Sequence, residues 1–544
     1  MEIRTPMKWT HVAVALALVA LAVAMSARSA QARPVTAAKD GRPNILVVMT
    51  DDQAAADVAQ MPNVKKLLAA QGTTFADAVD SFPLCCPARA TFITGQYAHN
   101  HGVGGNFYPY GWYGMKDRGN TLPAWLQKSG YTTALIGKWL NGYGARDAHG
   151  EVPAGFDIWR GLLDVSAYDY YNFVMNRNGK LKSWGDSAYA KKLVEFAKIE
   201  VTKITGSGLQ AVLGQLNKVF GPAPYTYWGT ANPKDYSPDV TGGVTESIVR
   251  DQGKSKKPFF VWWAPAAPHR EDVSTALMGR PGPDPRPAPR YEERSKGFTL
   301  PQPPNFNVPD LTVTNMREKA VPLSSGAIQQ LQLDYEGRMG SLLAVDDHVK
   351  HLVDVLRQTH QLKNTVIVFV SDNGWLQGQH AVPGDKYLPY EESLRVPLIM
   401  RGPGIPAHQT VRGQVSNIDF APTLLNLAKA KAGRTQDGVS LVPTMRDPRK
   451  RPDRALEIEA LQPLFAGDVP QNGWDQPYNG VRTDRYTYVV YKNNGEEELF
   501  DRRQDPFELN NVVNDPAFAG IKASLAAKLT KLKHCKGAAC NVAP

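Results

Sequence analysis

Two aspartates, Asp51 and Asp52, follow the apolar run PNILVVMT at 43–50, and a third, Asp372, stands with Asn373 after a second run, TVIVFV at 365–370. All four are hard oxygen ligands. Three carboxylates grouped without a counterion are unfavourable in a folded protein. Oxygen-only ligation favours calcium, or magnesium, over zinc, whose usual histidine and cysteine ligands are absent from this set. Taken alone, DDQ after a strand would as readily cap a helix, and SDNG would as readily form a tight turn. A third run, Phe259 to Trp263, leads to Pro268 and His269. An imidazole can transfer a proton near neutral pH, although a lone histidine in such a place also serves as a hydrogen-bonded structural residue. The last reactive group is a thiol. SFPLCCPARATFITG sets Cys85, Pro87 and Arg89 at CxPxR spacing, with Thr94 and Gly95 following an apolar run. In isolation Cys85 and Cys86 would be small buried hydrophobes or a strained disulfide between neighbours.

CxPxR, PNILVVMTDDQ at 43–53 and ELFDRRQDPFELNNVV at 498–513 together resemble the sulfatase family, across most of the mature chain. In that family the first cysteine of the signature, here Cys85, is oxidised to formylglycine by a formylglycine-generating enzyme. The aldehyde hydrates to a geminal diol that attacks the sulfur of a sulfate ester. A serine in its place would be left as a stable sulfate ester, whereas the second hydroxyl of a diol can lose its proton, rebuild C=O and expel sulfate. Covalent catalysis thereby splits one hard step into two. The resemblance implies that Asp51, Asp52, Asp372 and Asn373 hold a divalent cation with the modified Cys85 beside it, and that Arg89 holds the diol and offsets charge. Lys138 in LIGKWLNGY and Lys386 in GDKYLPYEESLRVPL match the family's two sulfate-contacting lysines, though either would otherwise pass for a solvated surface residue. His269 in APAAPHRE matches the histidine near the bridging oxygen. Cation, lysines and arginine would together stabilise charge on the transferring group. His99, His101 and His380 lie near these motifs and are further candidates for the pocket lining. Two positions depart from the common pattern. Leu140 stands where many members have histidine, which removes one hydrogen bond to the diol, and Ala88 replaces a more usual serine. GKWLNGY, CCPAR, APAAPH and CKGAAC resemble the N-acetylglucosamine 6-sulfatase branch. The implied partner is then a sulfated sugar or glycan.

These residues need a scaffold that brings them together. Three β-rich apolar runs each deliver polar residues just past their C-terminal ends, where open α/β sheets bind ligands. Helical patterns lie between them: MPNVKKLLAAQG at 61–72, TLPAWLQKSG at 121–130 with Gly130 as a stop, and a long helix from about Gln329 to Thr359. The alternation predicts an α/β fold, a large mixed central sheet flanked by helices as in the alkaline-phosphatase-like superfold of the family. Residues 160–240, which lack periodicity, and the proline-rich 279–309 are expected to be insertions. RDPRKRPDR at 446–454 marks a polar linker, and TDRYTYVVYKNNGEEELF beyond it reads as strand, turn and strand. The expected division is a signal peptide at 1–32, a catalytic domain at 33–445 and a C-terminal antiparallel subdomain at 446–544.

The basic residues Arg4 and Lys8, the apolar run Val12 to Met25 and Ala30–Gln31–Ala32 have the layout of a cleavable export signal. That run is shorter than the roughly 20 residues a membrane span needs, so the expectation is a secreted or periplasmic protein without stable membrane insertion. Hydrophobic residues at 42% and charged residues at 21% exclude a disordered chain. A net charge of +10 and a pI near 9.2 suit an anionic polymer such as a sulfated polysaccharide, or simply a basic secreted protein. No nucleic-acid motif is present. Four cysteines cannot form the framework of a chain this long; Cys535 and Cys540 are expected to close a small loop. Two other functions fit the same residues: an arylsulfatase or a phosphonate or phosphate monoester hydrolase of the same superfold, and a metal-stabilised glycan-binding protein whose Cys85 is never converted.

Overall fold

Seven consecutive buried residues, Asn44–Thr50 (β1), form the middle of a ten-stranded sheet, because both faces of this strand are covered and its sequence is apolar throughout. The computed structural model describes residues 41–106, 109–144, 150–185, 232–271, 282–310, 312–313, 321–462 and 476–544, all within one compact unit, Ala37–Pro544. On one side of β1 lie Thr365–Ser371 (β9), Leu398–Arg401 (β11), Thr73–Phe75 (β2) and Gln409–Val411 (β12). On the other lie Phe259–Ala264 (β8), Thr132–Lys138 (β4), Ile158–Leu162 (β5), Val174–Arg177 (β6) and Lys180–Ser183 (β7). Strands β9, β1, β8, β4 and β5 run parallel, and β11, β6 and β7 pair antiparallel with their inner neighbours. Ala78–Val79 (β3), Arg395–Val396 (β10) and Val415–Ser416 (β13) make a small three-stranded sheet.

Alternate residues of β1 point into separate cores. Ile45, Val47 and Met49 pack with Cys85–Thr94 (α1), Leu122–Lys128 (α2) and Phe420–Ala428 (α5), through Phe92, Trp125 and Leu424 among others. Leu46 and Val48 face Ser237–Gln252 (α3) and Ser325–Gln358 (α4), through Val249, Leu342, Val345 and Leu352. Helix α4 starts four residues before its expected position, because the Ser324 hydroxyl accepts from Ala327 N at 3.2 Å and caps it. The 61–72 segment is helical as expected, but not as a regular α-helix. It forms a π-type turn at Val64–Leu68 and a 3₁₀ turn at Ala69–Gln71, its start held by Asp346 of α4, which accepts from Asn63 N and Val64 N.

The expectation that 160–240 is wholly an insertion is corrected in part. β5, β6 and β7 extend the main sheet, and residues 186–231 lie outside the described set. Their pattern was hard to read because β7, the edge strand, is exposed at all four positions and carries Lys180 and Lys182. The described part of the proline-rich stretch runs extended, with short helical turns at Pro289–Tyr291 and Glu292–Ser295. Leu456–Ala460 (β14), Tyr478–Arg482 (β15), Tyr486–Tyr491 (β16) and Glu497–Asp501 (β17) form a separate antiparallel sheet, covered by Ala519–Leu532 (α6) through Leu525, Leu529 and Leu532. Cys535 and Cys540 are disulfide-bonded after α6. The 446–454 stretch is not a free linker: Arg454 is buried and pairs with Asp419 at 2.5 Å. No described helix is long and apolar enough to cross a membrane; the expected signal at 1–32 lies outside the described residues.

Candidate active site

The register of the sheet assembles the site. Thr50 stands opposite Ser371, so the residues that follow, Asp51–Asp52 and Asp372–Asn373, leave the carboxyl edge side by side. Asp372 N donates to Thr50 O at 3.2 Å, and Asp52 N donates to Asp372 Oδ1 at 3.1 Å. Lys138 is the last residue of β4, and Gly137 before it has φ of 108°, with an added Cβ falling 2.0 Å from Ala264 O of β8. Only glycine turns the strand end there without a clash. The loop after β8 brings Ala267 O to Asp51 N at 3.2 Å and places His269 at the same edge.

Cys85 opens α1, with its side chain fully buried. Its Sγ lies 3.1 Å from Lys386 Nζ, 3.5 Å from Asp51 Oδ1 and 4.0 Å from Asp52 Oδ1. Arg89, one turn further on, donates to Asp372 Oδ2 at 2.8 Å, Lys138 O at 3.0 Å and Asp51 Oδ2 at 3.3 Å. Lys138 Nζ meets Asp51 Oδ2 at 2.6 Å and Lys386 Nζ meets Asp52 Oδ1 at 2.5 Å. His269 Nδ1 bonds the carbonyl of Arg270 at 2.7 Å, and its Nε2 faces Asp52 Oδ2 at 3.4 Å. Every catalytic and metal-ligand candidate inferred from the sequence therefore lies in one cluster. His99, His101 and His380 have other partners. His99 bonds Glu459 and Cys535 O, His101 bonds Thr91 and Val103 N, and His380 stacks on Tyr390, its imidazole lowered to about 4 by burial.

Charge is matched within the cluster. Asp51, Asp52 and Asp372 face Arg89, Lys138 and Lys386, three carboxylates against three cations. Burial alone would raise the Asp51 and Asp52 carboxyls, but Lys138 and Arg89 hold Asp51, and Lys386 holds Asp52, below the usual range. Burial pushes the Cys85 thiol well up in spite of the two lysines, so an unmodified Cys85 is a neutral thiol in this setting. The lysines already answer the carboxylates, so charge alone does not demand a metal; the unused acceptors make that case. Asn373 Oδ1 is buried without a hydrogen-bond donor among the described residues, although its Nδ2 is fixed by Asp52 Oδ1 at 2.7 Å and Gly374 O at 2.8 Å, and buried Asp52 Oδ2 makes no hydrogen bond among them, its near neighbour being His269 Nε2 at 3.4 Å. Ligand atoms of Asp51, Asp52, Cys85 and His269 all lie within 4.8 Å of one another. The carboxylate and amide oxygens of Asp51, Asp52, Asp372 and Asn373 are a donor set that suits a hard divalent cation.

Four residues complete the site without having been singled out in the sequence. The Tyr168 ring lies 4.4 Å from Lys138 Nζ and 4.3 Å from the His269 ring, with Asn141 Nδ2 donating to its hydroxyl at 2.6 Å. It fills the region beside Lys138, while Leu140 turns into the core. Arg338, buried on α4, donates to Asp52 O at 2.5 Å and Pro268 O at 3.1 Å, and so holds Asp52 at φ 62°, a conformation that costs a non-glycine residue about 1–3 kcal/mol. Asn106 accepts from Cys86 N at 2.9 Å, and Trp375 lies 5.4 Å from Lys386 Nζ. Arg338 left one sequence signal, a charged residue on the apolar face of a helix; Tyr168 left none.

The family model described as sulfatase matches residues 43–430, and one described as N-sulphoglucosamine sulphohydrolase, C-terminal, matches 378–535. N-acetylglucosamine-6-sulfatase of Homo sapiens is 31% identical over 93% of this chain and 87% of its own length. An arylsulfatase of Chlamydomonas reinhardtii is 29% identical over 96% of this chain and 79% of its own. Among solved structures, one described as in complex with its substrate D-glucosamine-2-N,6-O-disulfate superposes with a TM-score of 0.65 at 23% identity, covering 90% of this chain and 97% of that one. A phosphonate monoester hydrolase from Silicibacter pomeroyi gives 0.60 at 21% identity over 90% and 94%.

Proposed function

The chain belongs to the sulfatase family and is a sulfuric ester hydrolase, and on that premise we propose that it releases the 6-sulfate of N-acetylglucosamine in a sulfated glycan, with a nucleophile made from Cys85. The observation that carries this reading is the setting of Cys85, at the head of a buried helix among two lysines, an arginine, three carboxylates and His269. The 6-sulfatase names of the similar chains support the choice of sugar.

In this reading Asp51, Asp52, Asp372 and Asn373 would hold calcium, or magnesium, whose charge would polarise a bound sulfate ester, and the formylglycine made from Cys85 would supply the nucleophilic hydroxyl. The chain's own side chains do the rest. Arg89 spends its donors on Asp372, Asp51 and the Lys138 carbonyl and so fixes the carboxylates and the strand end. Adding a divalent cation to three carboxylates and three side-chain cations moves the formal balance from zero to two positive charges, which suits an anionic ester. Lys138 and Lys386 bind sulfate oxygens through their ammonium groups. His269 donates Nδ1–H to the Arg270 carbonyl, which turns Nε2 toward the site on the side of Asp52, where the imidazolium form would carry the proton for the leaving alcohol. Residues 33–445 carry this chemistry in a protein exported by a signal at 1–32, and 446–544 form a C-terminal unit that contributes to substrate choice.

The test is mass spectrometry of the Cys85 peptide from protein made with a formylglycine-generating enzyme, paired with sulfate release from N-acetylglucosamine 6-sulfate and phosphate release from phosphomonoesters. Conversion of Cys85 with preferential sulfate release is expected, and Cys85→Ala should lose turnover while keeping its fold. Turnover that persists in Cys85→Ala would overturn the mechanism, and phosphate release exceeding sulfate release would overturn the substrate class.

A further inference from the structure

A second group of metal-ligating side chains lies between α3 and α4, outside the machinery just described. Glu246 of α3 faces His348 and His351 of α4, which are one helical turn apart and share a face. Glu246 Oε1 lies 2.6 Å from His348 Nδ1 and 3.2 Å from His351 Nδ1. Gly242 of α3 makes room for the first imidazole, since a methyl group there would sit 2.4 Å from it. One ligand atom from each of the three residues lies within 4.8 Å of the other two.

We propose that Glu246, His348 and His351 form a binding site for zinc, or another borderline divalent transition ion, that ties α3 to α4. Two imidazoles and one carboxylate are a donor set that transition ions prefer and calcium does not. Tetrahedral bonds of about 2.0–2.1 Å place neighbouring ligand atoms about 3.3 Å apart; the Glu246–His351 separation of 3.2 Å matches this, and the Glu246–His348 hydrogen bond of 2.6 Å would lengthen as an ion replaces its proton. The second nitrogen of His348 bonds Asp239 Oδ1 at 3.1 Å. This is the outer carboxylate that fixes the tautomer and orientation of a ligating histidine. Charge favours a dication. With both histidines neutral, Asp239, Glu246 and Asp347 carry three negative charges, and Arg290, which pairs with Asp239 at 2.6 Å and Asp347 at 3.0 Å, supplies one positive. His351 is half-exposed while His348 is nearly buried, so an ion can enter from solvent and keep water in its remaining position. His348 lies ten residues beyond Arg338 on α4, about 15 Å along the helix axis, so such an ion would sit well away from Asp52. The two sites are separated by chemistry as well, one all oxygen and one rich in nitrogen.

Calorimetric titration of zinc into the full-length, calcium-saturated protein tests this. One saturable site is expected in the wild type, accompanied by a rise in Tm. Binding should weaken at least tenfold in His351→Ala, a half-exposed position whose loss does not threaten the fold, and also in Glu246→Gln. Sulfate release should continue in both variants. Absence of saturable uptake, or uptake unchanged in both variants, would overturn the proposal. Loss of turnover in both variants with zinc binding intact would overturn it too, since the cluster would then serve the catalytic site and not a separate ion.

Discussion

Replacing His99 with glutamine should remove roughly 3 kcal/mol of stability at pH 6 and almost none at pH 10. The imidazole is largely buried, with Nδ1 3.0 Å from Glu459 Oε2 and 3.5 Å from Glu457 Oε2, and Nε2 2.9 Å from the carbonyl of Cys535. Burial disfavours its charge, but the two glutamates and the carbonyl prevail and raise it from 6.5 to about 9. The rise from 6.5 to about 9, at about 1.36 kcal/mol per pH unit, gives the figure. Because the folded value is the higher one, the contribution is complete below pH 6.5 and disappears as pH rises through 9. Glutamine keeps hydrogen-bonding groups and cannot carry the charge. Unfolding free energies of both proteins in urea from pH 5.5 to 10 would give the difference directly, and groups untouched by the substitution cancel. A difference that stays constant across that range would refute the argument, since His99 would then act by packing and not by charge.

Gly137→Ala should destabilise by at least 1–3 kcal/mol and reduce turnover, because the new methyl meets Ala264 O and pushes Lys138 out of line; a full-activity, full-stability variant would show that the strand end adapts. Arg338→Met leaves the Asp52 and Pro268 carbonyls and the buried Asp57 without this partner, at a cost of about 3–5 kcal/mol. It should lower kcat at permissive temperature, and an unchanged kcat would separate Arg338 from the geometry of Asp52. A chelator should abolish turnover and calcium should restore it, while the fold persists because the carboxylates remain paired with Lys138, Lys386 and Arg89. Undiminished turnover in excess chelator would exclude a required cation.

The carboxyl edge of the sheet was legible because β1, β8 and β9 are buried on both faces. Such strands are written as unbroken apolar runs that stop where the chain meets the site. Asp51, Asp52, Asp372 and His269 all stand at those stops. Lys138 and Lys386 became recognisable only through their motifs, since nothing in composition tells a buried lysine from a solvated one. The last two strands of the sheet, β6 and β7, escaped because each is only four residues long and β7 is exposed throughout, so neither shows an alternation. Tyr168 was invisible for a different reason: its role depends on a loop folding back over Lys138, which no local period encodes. His99 and His101 sit close to Cys85 in sequence, yet the helical turn at Ala98–His101 directs them to Glu459 and Thr91.

The contact between Cys85 and Lys386 joins residues 301 positions apart, and this separation sets a clock. During synthesis at about 5–20 residues per second, the chain needs roughly 15–60 s after Cys85 emerges before Lys386 exists. β9, which lies against β1, arrives only shortly before that residue. Until then α1 cannot be sealed at the carboxyl edge, and afterwards Cys85 is wholly enclosed. An enzyme that modifies this cysteine would have to act before the fold closes over it, in a window whose minimum is set by chain length and elongation rate. Slower elongation, or a delay in completing β9, would raise the converted fraction without any change to the enzyme.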